Sequence, residues 1–197
     1  MRAIVIAGAL ALAAGCVTEE RKLPPTAAGE ALVRVDDSPP PLVEQEEKLK
    51  DLIDDADGPQ QKAQAWWRLG DFYEDSMRYR EALGAYANMH RAILELPGGD
   101  RYTAGPYHQG VMLTRLNEYP AAVVMFQEVL KLQPKDVQQA ALYDHFRESH
   151  YLLGWIYYQT KQWDPAQSHL TTFKEMGGAP ERVDSLLMNI SYEKKSK

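Results

Sequence analysis

Few residues in this chain have the type and spacing that would support catalysis or metal binding. The sequence contains one cysteine and five histidines, and no histidine lies in an HExxH motif or another spacing typical of zinc sites. His145 and His150 are five positions apart, which on a regular helix separates them by about 140° around the axis. We therefore predict no metal site and no cofactor, and expect the histidines to be solvated or to line a groove.

One group of acid and base residues remains as a candidate catalytic site, formed by Asp144, His145 and Glu148. Asp144 and Glu148 share one helix face while His145 is offset, which is more typical of a solvated face than of a general acid and base. The sequence also lacks a Gly-rich phosphate loop and a nucleophile elbow. We predict a protein that is not an enzyme, with an enzyme subunit using these three residues as the alternative.

The single cysteine, Cys16, follows a short apolar segment at the start of the chain. The stretch from Ala3 to Ala14 is too short to cross a hydrocarbon core of about 30 Å but suits a signal peptide. The sequence Ala13-Ala14-Gly15-Cys16 resembles the lipobox of bacterial lipoproteins. The resemblance implies that residues 1–15 are removed and that Cys16 carries acyl chains. Ordinary secretory cleavage, which would leave a free thiol, is the alternative.

The resemblance to lipoproteins also implies a location. Val17, in place of Asp after the lipidated cysteine, implies sorting to the outer membrane, so we expect an outer-membrane lipoprotein facing the periplasm. Residues 16–41 are rich in Pro, Thr, Glu and Ala without a helical or alternating period, which predicts a flexible tether. The net charge of −6 and the lack of an extended basic cluster argue against nucleic acid as a partner.

Three glycines, Gly70, Gly110 and Gly154, mark a repeated pattern. Each is followed twelve residues later by an alanine and sixteen residues later by a large apolar residue; these are Ala82, Ala122 and Ala166, and Tyr86, Phe126 and Leu170. The sequence Trp66-x-x-Leu69-Gly70-x-x-Tyr73 also reproduces the opening of the tetratricopeptide pattern. On these residues the chain resembles the tetratricopeptide repeat family.

The resemblance implies an all-α solenoid of three antiparallel helix pairs in which small residues let the helices approach and large residues fill the space between them. The expected repeats are 63–96, 103–136 and 147–180, within an array that spans 59–180. Apolar residues at helical spacing predict an N-terminal helix over 42–57 and a C-terminal capping helix and tail over 181–197. Asp136 is expected to cap a helix that continues to about Thr160.

In the tetratricopeptide family the first helix of each pair lines a concave groove. Two columns of residues belong to that face in this chain: Trp67, Tyr107 and Tyr151, which precede the glycines by three, and Asp71, Val111 and Trp155, which follow them by one. The Lys, Arg and Asn that some family members use in these columns to clamp a terminal carboxylate are absent. We expect the aromatic groove to bind an apolar or helical segment of a protein partner, and no small-molecule substrate.

These resemblances together imply a membrane-anchored adaptor that holds an envelope protein during assembly of a larger complex. The architecture is similar to that of pilotins for type IV pilus secretins, of motility lipoproteins and of the repeat lipoprotein of the β-barrel assembly machinery. Three alternatives stay open. The helix predicted over 42–57 covers the aromatic residues, or the aromatic column packs between neighbouring helices, or the groove packs on a second copy and the protein is an oligomerising spacer.

Overall fold

The computed structural model describes residues 42–140 and 143–196, except for the side chains of residues 137 and 138. The predicted signal peptide, the tether and the lipidation site at Cys16 lie outside the described residues. The described part contains eight α-helices of twelve or more residues, one short α-helix, two 3-10 helices (Gly99–Arg101 and Pro180–Arg182) and no strand. The helices are α1 (Leu42–Asp54), α2 (Pro59–Asp75), α3 (Tyr79–Leu94), α4 (Ala104–Arg115), α5 (Tyr119–Lys131), α6 (Val137–Ala140), α7 (Asp144–Gln159), α8 (Trp163–Glu175) and α9 (Asp184–Lys195).

Three helix pairs, α2 with α3, α4 with α5, and α7 with α8, form the body of the protein. Helices α1 and α9 pack against the first and last pair. The expectation of an all-α helical repeat fold is confirmed. Among the described residues, no helix has both the length and the hydropathy needed to cross a bilayer.

The two helices of each pair are joined by the same turn. Met77, Asn117 and Lys161 each lie seven residues after a repeat glycine and have positive φ angles of 58°, 60° and 58°. The backbone N–H of the following residue bonds a carbonyl five residues earlier, as from Arg78 to Tyr73 at 2.8 Å. This is a Schellman motif, which ends the first helix and reverses the chain in a short connection.

The repeat glycines lie against the large residues of the second helices. A Cβ added to Gly110 would be 2.7 Å from Phe126 Cε1, and one added to Gly154 would be 2.6 Å from Leu170 Cδ2. The alanines of the pattern, Ala82, Ala122 and Ala166, have no exposed surface. Small side chains at these positions therefore let the paired helices approach until the large residues fill the space between them.

The prediction of one helix from Asp136 to about Thr160 is wrong. Asp136 does accept a hydrogen bond from the Gln139 backbone N–H at 2.9 Å, as an N-cap does. However, α6 ends at Ala140 and α7 begins at Asp144. Ala140 and Phe146 are both buried in one cluster with Val129. On a continuous helix these two residues would point about 120° apart, so the break lets both reach that cluster.

The two flanking helices are packed to different extents. In α9, Val183, at its N-cap, and Ile190 are fully buried against the last pair. Helix α1 has no buried residue, because Leu49 and Ile53 are only partly covered and Leu42 is 64% exposed. The apolar side chains of α1 are therefore only partly covered by the rest of the protein.

Candidate functional site

The first helices α2, α4 and α7 carry the two predicted groove columns. Because each glycine faces the second helix of its pair, the residues three before and one after it lie on another face, one turn apart. The structure divides this face into two hollows. We call them the Trp67 hollow, of about 340 Å³, and the Trp155 hollow, of about 480 Å³.

The Trp155 hollow lies between α4 and α7. It brings together three of the predicted groove residues, Val111, Tyr151 and Trp155. All three side chains are half-buried, so part of each remains open to solvent. Trp155 is held edge-on by Tyr119, with ring centroids 5.9 Å apart. Leu152 adds a further apolar side chain, and Thr114, Arg115, Asn117 and Arg182 supply the polar part of the lining.

One wall of this hollow is fixed by an arginine. The Arg182 guanidinium lies 3.9 Å from the centroid of the Tyr151 ring, in a cation–π contact. The same guanidinium donates two hydrogen bonds to the two Glu148 carboxylate oxygens, each at 2.9 Å. Since the bond to Glu148 stabilises the charged form, the pKa of Arg182 is raised. Tyr151 is therefore held in place by a residue of the segment that joins α8 and α9.

The Trp67 hollow lies nearer the N-terminal end of the array. Trp67 is 45% exposed and lies over an apolar floor that includes Met89 and Ile93. Two histidines complete the hollow, His108 and His145. Burial lowers the pKa of both, so they are neutral at neutral pH. The surface of this hollow is thus almost entirely apolar and uncharged.

Tyr107, the middle member of the predicted aromatic column, lines neither hollow. Its ring stacks on His145 with centroids 4.3 Å apart and meets Phe126 edge-on at 6.3 Å. Burial raises its pKa to about 12. Tyr107 is half-buried, as Tyr151 and Trp155 are, but its ring contacts residues of α5 and α7 and lies in neither hollow, whereas Trp67, Tyr151 and Trp155 line the hollows. The four aromatic residues do not form one continuous strip.

Asp71, the one charged residue of the predicted columns, forms a hydrogen bond within the protein. It accepts a hydrogen bond from the Tyr86 hydroxyl at 2.7 Å, and the same hydroxyl lies 2.9 Å from a Glu74 carboxylate oxygen. Burial is the main cause that raises the pKa of Tyr86, and the two carboxylates add to it. Asp71 thus anchors the buried ring that packs on Gly70.

Helix α1 does not cover the exposed tryptophan of the first hollow. Its residue Ile53 lines a different hollow together with Trp66, and no residue of α1 lines the Trp67 hollow. Glu46 of α1 accepts a hydrogen bond from the Tyr73 hydroxyl at 2.9 Å. Its bonds to Lys50, Arg78 and Tyr73 lower the pKa of Glu46 to about 2. The α1 contacts therefore fix the helix to the start of the array and leave Trp67 open.

The acid and base residues proposed for the enzyme alternative each have another partner. Asp144 pairs with Arg147 at 2.5 Å and Glu148 pairs with Arg182. His145 Nδ1 is 2.8 Å from the Thr103 hydroxyl oxygen, in addition to its stacking on Tyr107. No cluster of three or more His, Cys, Asp or Glu side chains arranged for a metal occurs among the residues the structure describes.

Buried His150 and half-buried His169 form a pair that sequence reasoning missed. The Nδ1 atoms of His150 and His169 are 2.9 Å apart, and His150 Nε2 is 2.9 Å from the Gln133 amide oxygen. His150 is only 9% exposed, so the expectation of solvated or groove-lining histidines is wrong for it. Burial, with a smaller contribution from His169, lowers the pKa of His150 to about 4. The sequence indicated only that His150 and His169 lie on two helices of one pair, and not that their side chains meet.

A comparison with protein families identifies one repeat. The family model described as a tetratricopeptide repeat matches residues 148–175, which include most of α7 and α8. No curated protein matches the chain. The matched pair contains the glycine, alanine and leucine of the third repeat and the Tyr151 and Trp155 wall of the Trp155 hollow. The chain is thus an all-α protein that carries a tetratricopeptide repeat, the kind of repeat that mediates protein–protein interaction.

Proposed function

We propose that this protein is a membrane-anchored adaptor that binds a segment of another envelope protein in the Trp155 hollow during assembly of a larger complex. The acyl chains on Cys16 would hold the protein at the outer membrane, and residues 17–41 would set how far the array reaches from it. The proposal rests on binding and requires no catalytic group.

The observation that carries the proposal is the open aromatic wall of the Trp155 hollow. Tyr151 and Trp155 are large, rigid side chains that bury much apolar area at low cost in conformational entropy when a partner covers them. Their positions are already fixed by Arg182 and Tyr119. A preformed pocket of about 480 Å³ suits one or two apolar side chains of a partner segment.

Affinity purification of the full chain from its native membranes tests the partner site. Trp155→Ala and Val111→Glu are expected to reduce the co-purified partner at least tenfold, because one removes the wall and the other places a negative charge in the hollow. Tyr192→Ala, at a residue 71% exposed on α9, is the matched control and should leave the yield unchanged. If the wild type and all three variants give the same partner yield and the same thermal melting, the proposal is contradicted.

The anchor is tested separately with Cys16→Ser. We expect this variant to fold with the same helical circular dichroism but to move from the membrane fraction to the soluble fraction. Mass spectrometry of the wild-type chain should find acyl groups on Cys16. A Cys16→Ser variant that still fractionates with membranes and complements a deletion would contradict the anchor while leaving the binding site in place.

A further inference from the structure

The polar side of the Trp155 hollow contains cations and hydrogen-bond donors. Arg115 and Arg182 are among its lining residues, and no carboxylate is among those that the structure describes there. This is unusual within the chain, which has 28 acidic residues and 22 basic ones. A local excess of positive charge in an acidic protein favours a partner that brings a negative charge to this place.

The two arginines are not equivalent. Arg182 donates to both carboxylate oxygens of Glu148, so its charge is already compensated. Arg115 is the last residue of α4 and is exposed, and it forms no ion pair with any other described residue. Its guanidinium can therefore offer a carboxylate two parallel hydrogen bonds without first breaking a contact within the protein.

Of the two neighbouring polar residues, Asn117 offers a donor to a ligand and Thr114 does not, because its hydroxyl hydrogen is already used. The Thr114 hydroxyl donates to the Gly110 carbonyl at 2.8 Å. The Asn117 side-chain oxygen accepts from the Tyr119 hydroxyl at 2.8 Å. The side-chain N–H groups of Asn117 have no partner among the described residues. The hollow thus presents donors from Arg115 and Asn117 beside the apolar surface of Val111, Leu152 and Trp155.

We propose that the Trp155 hollow recognises an acidic amphipathic segment of the partner, in which a Leu, Ile, Phe or Trp side chain packs on Trp155 and a nearby Asp or Glu side chain binds Arg115. The inference rests on the proposed function and specifies its partner chemistry. The aromatic wall supplies apolar burial, and Arg115 selects segments that carry a carboxylate next to the apolar residue.

Selection of a random dodecapeptide phage library on the full chain in detergent tests this recognition. We expect the enriched peptides to place Asp or Glu within four residues of a large apolar residue, at least tenfold above the unselected library. Arg115→Glu should abolish the acidic enrichment, and Arg115→Lys should retain part of it. Arg68→Glu is the matched control, since Arg68 is also exposed and without an ion pair among the described residues.

The possible results separate this inference from the proposed function. Suppose that the peptides enriched on the wild type lack acidic residues and are not enriched on the Trp155→Ala variant. That result would overturn the role of Arg115 but keep the hollow as a binding site. Failure to enrich any peptide would also overturn the inference, while the membrane purification still tests the adaptor. A concentration-dependent dimer that Arg115→Glu dissociates would assign the hollow to a second copy and overturn the acidic segment.

Discussion

The Tyr86 ring occupies the space that a side chain on Gly70 would need. A Cβ added to Gly70 would be 2.5 Å from Tyr86 Cε1, closer than two non-bonded carbon atoms approach in proteins. Tyr86 is fully buried and its hydroxyl is bonded to Asp71, so the ring cannot swing away without loss of that bond. This relationship connects the repeat pattern in the sequence with the packing of a helix pair.

Replacing Gly70 by alanine should therefore destabilise the protein. Overpacking in a core costs about 1 to 3 kcal/mol, and the better helix propensity of alanine offsets up to about 1 kcal/mol. We expect a net loss of about 1 to 2 kcal/mol in the free energy of unfolding, measured by urea denaturation. Gly84→Ala is the matched control, because Gly84 lies in α3 with nothing within 4 Å of an added Cβ; it should stabilise. Equal effects of the two substitutions would show that Tyr86 does not constrain Gly70.

Met77 offers a stabilising substitution. Its φ of 58° is in the left-handed region, where a residue with a side chain is disfavoured by about 1 to 2 kcal/mol. Its side chain is 75% exposed, so little packing is lost on its removal. Met77→Gly should raise the free energy of unfolding by about 0.5 to 1 kcal/mol, while Met77→Ala should not. A gain from alanine as large as that from glycine would mean that the benefit comes from removal of the methionine side chain.

The burial of His150 predicts loss of stability in mild acid. The pKa of His150 is about 4 in the folded protein and about 6.5 in an unfolded chain, so the unfolded state binds more protons between these values. Stability is therefore complete above pH 6.5 and falls as the pH drops towards 4. We expect His150 alone to contribute a loss of about 2 kcal/mol between pH 7 and pH 5, measured by urea denaturation.

A variant without a titrating group at this position provides the control. His150→Gln should lose part of the pH dependence, although its stability at pH 7 is expected to be lower because the pair with His169 is broken. Burial lowers the pKa of the other four histidines too, so some acid sensitivity should remain. An identical pH profile for the variant and the wild type would contradict the contribution of His150.

The sequence allowed the repeat architecture to be predicted because packing restricts a few positions strongly. Gly70 and Ala82 must be small where helices approach, and Tyr86 must be large to fill the adjacent space, so their spacing reveals the helix pair. The turns were less evident. Met77 and Lys161 adopt a left-handed conformation that their side chains disfavour, and only Asn117 has a residue type that suggests it.

The candidate site was less predictable, since it depends on which side chains neighbouring helices cover. Tyr107 and Tyr151 occupy the same register, yet Tyr107 is stacked on His145 while Tyr151 lines an open hollow. The break before α7 places His145 over Tyr107, and no local pattern indicates that break. Arg115 and Arg182 were missed because neither lies in the columns that define the groove in the family.

Site-specific photocrosslinking in the native host tests the central claim most directly, namely that the Trp155 hollow holds a segment of another protein. A benzophenone side chain would replace Leu152 inside the hollow or, as the control, Val124, which is 48% exposed on α5. We predict a crosslink to one envelope protein from position 152 and none from position 124. Crosslinks from both positions alike, or from position 152 only to this chain itself, would contradict the claim.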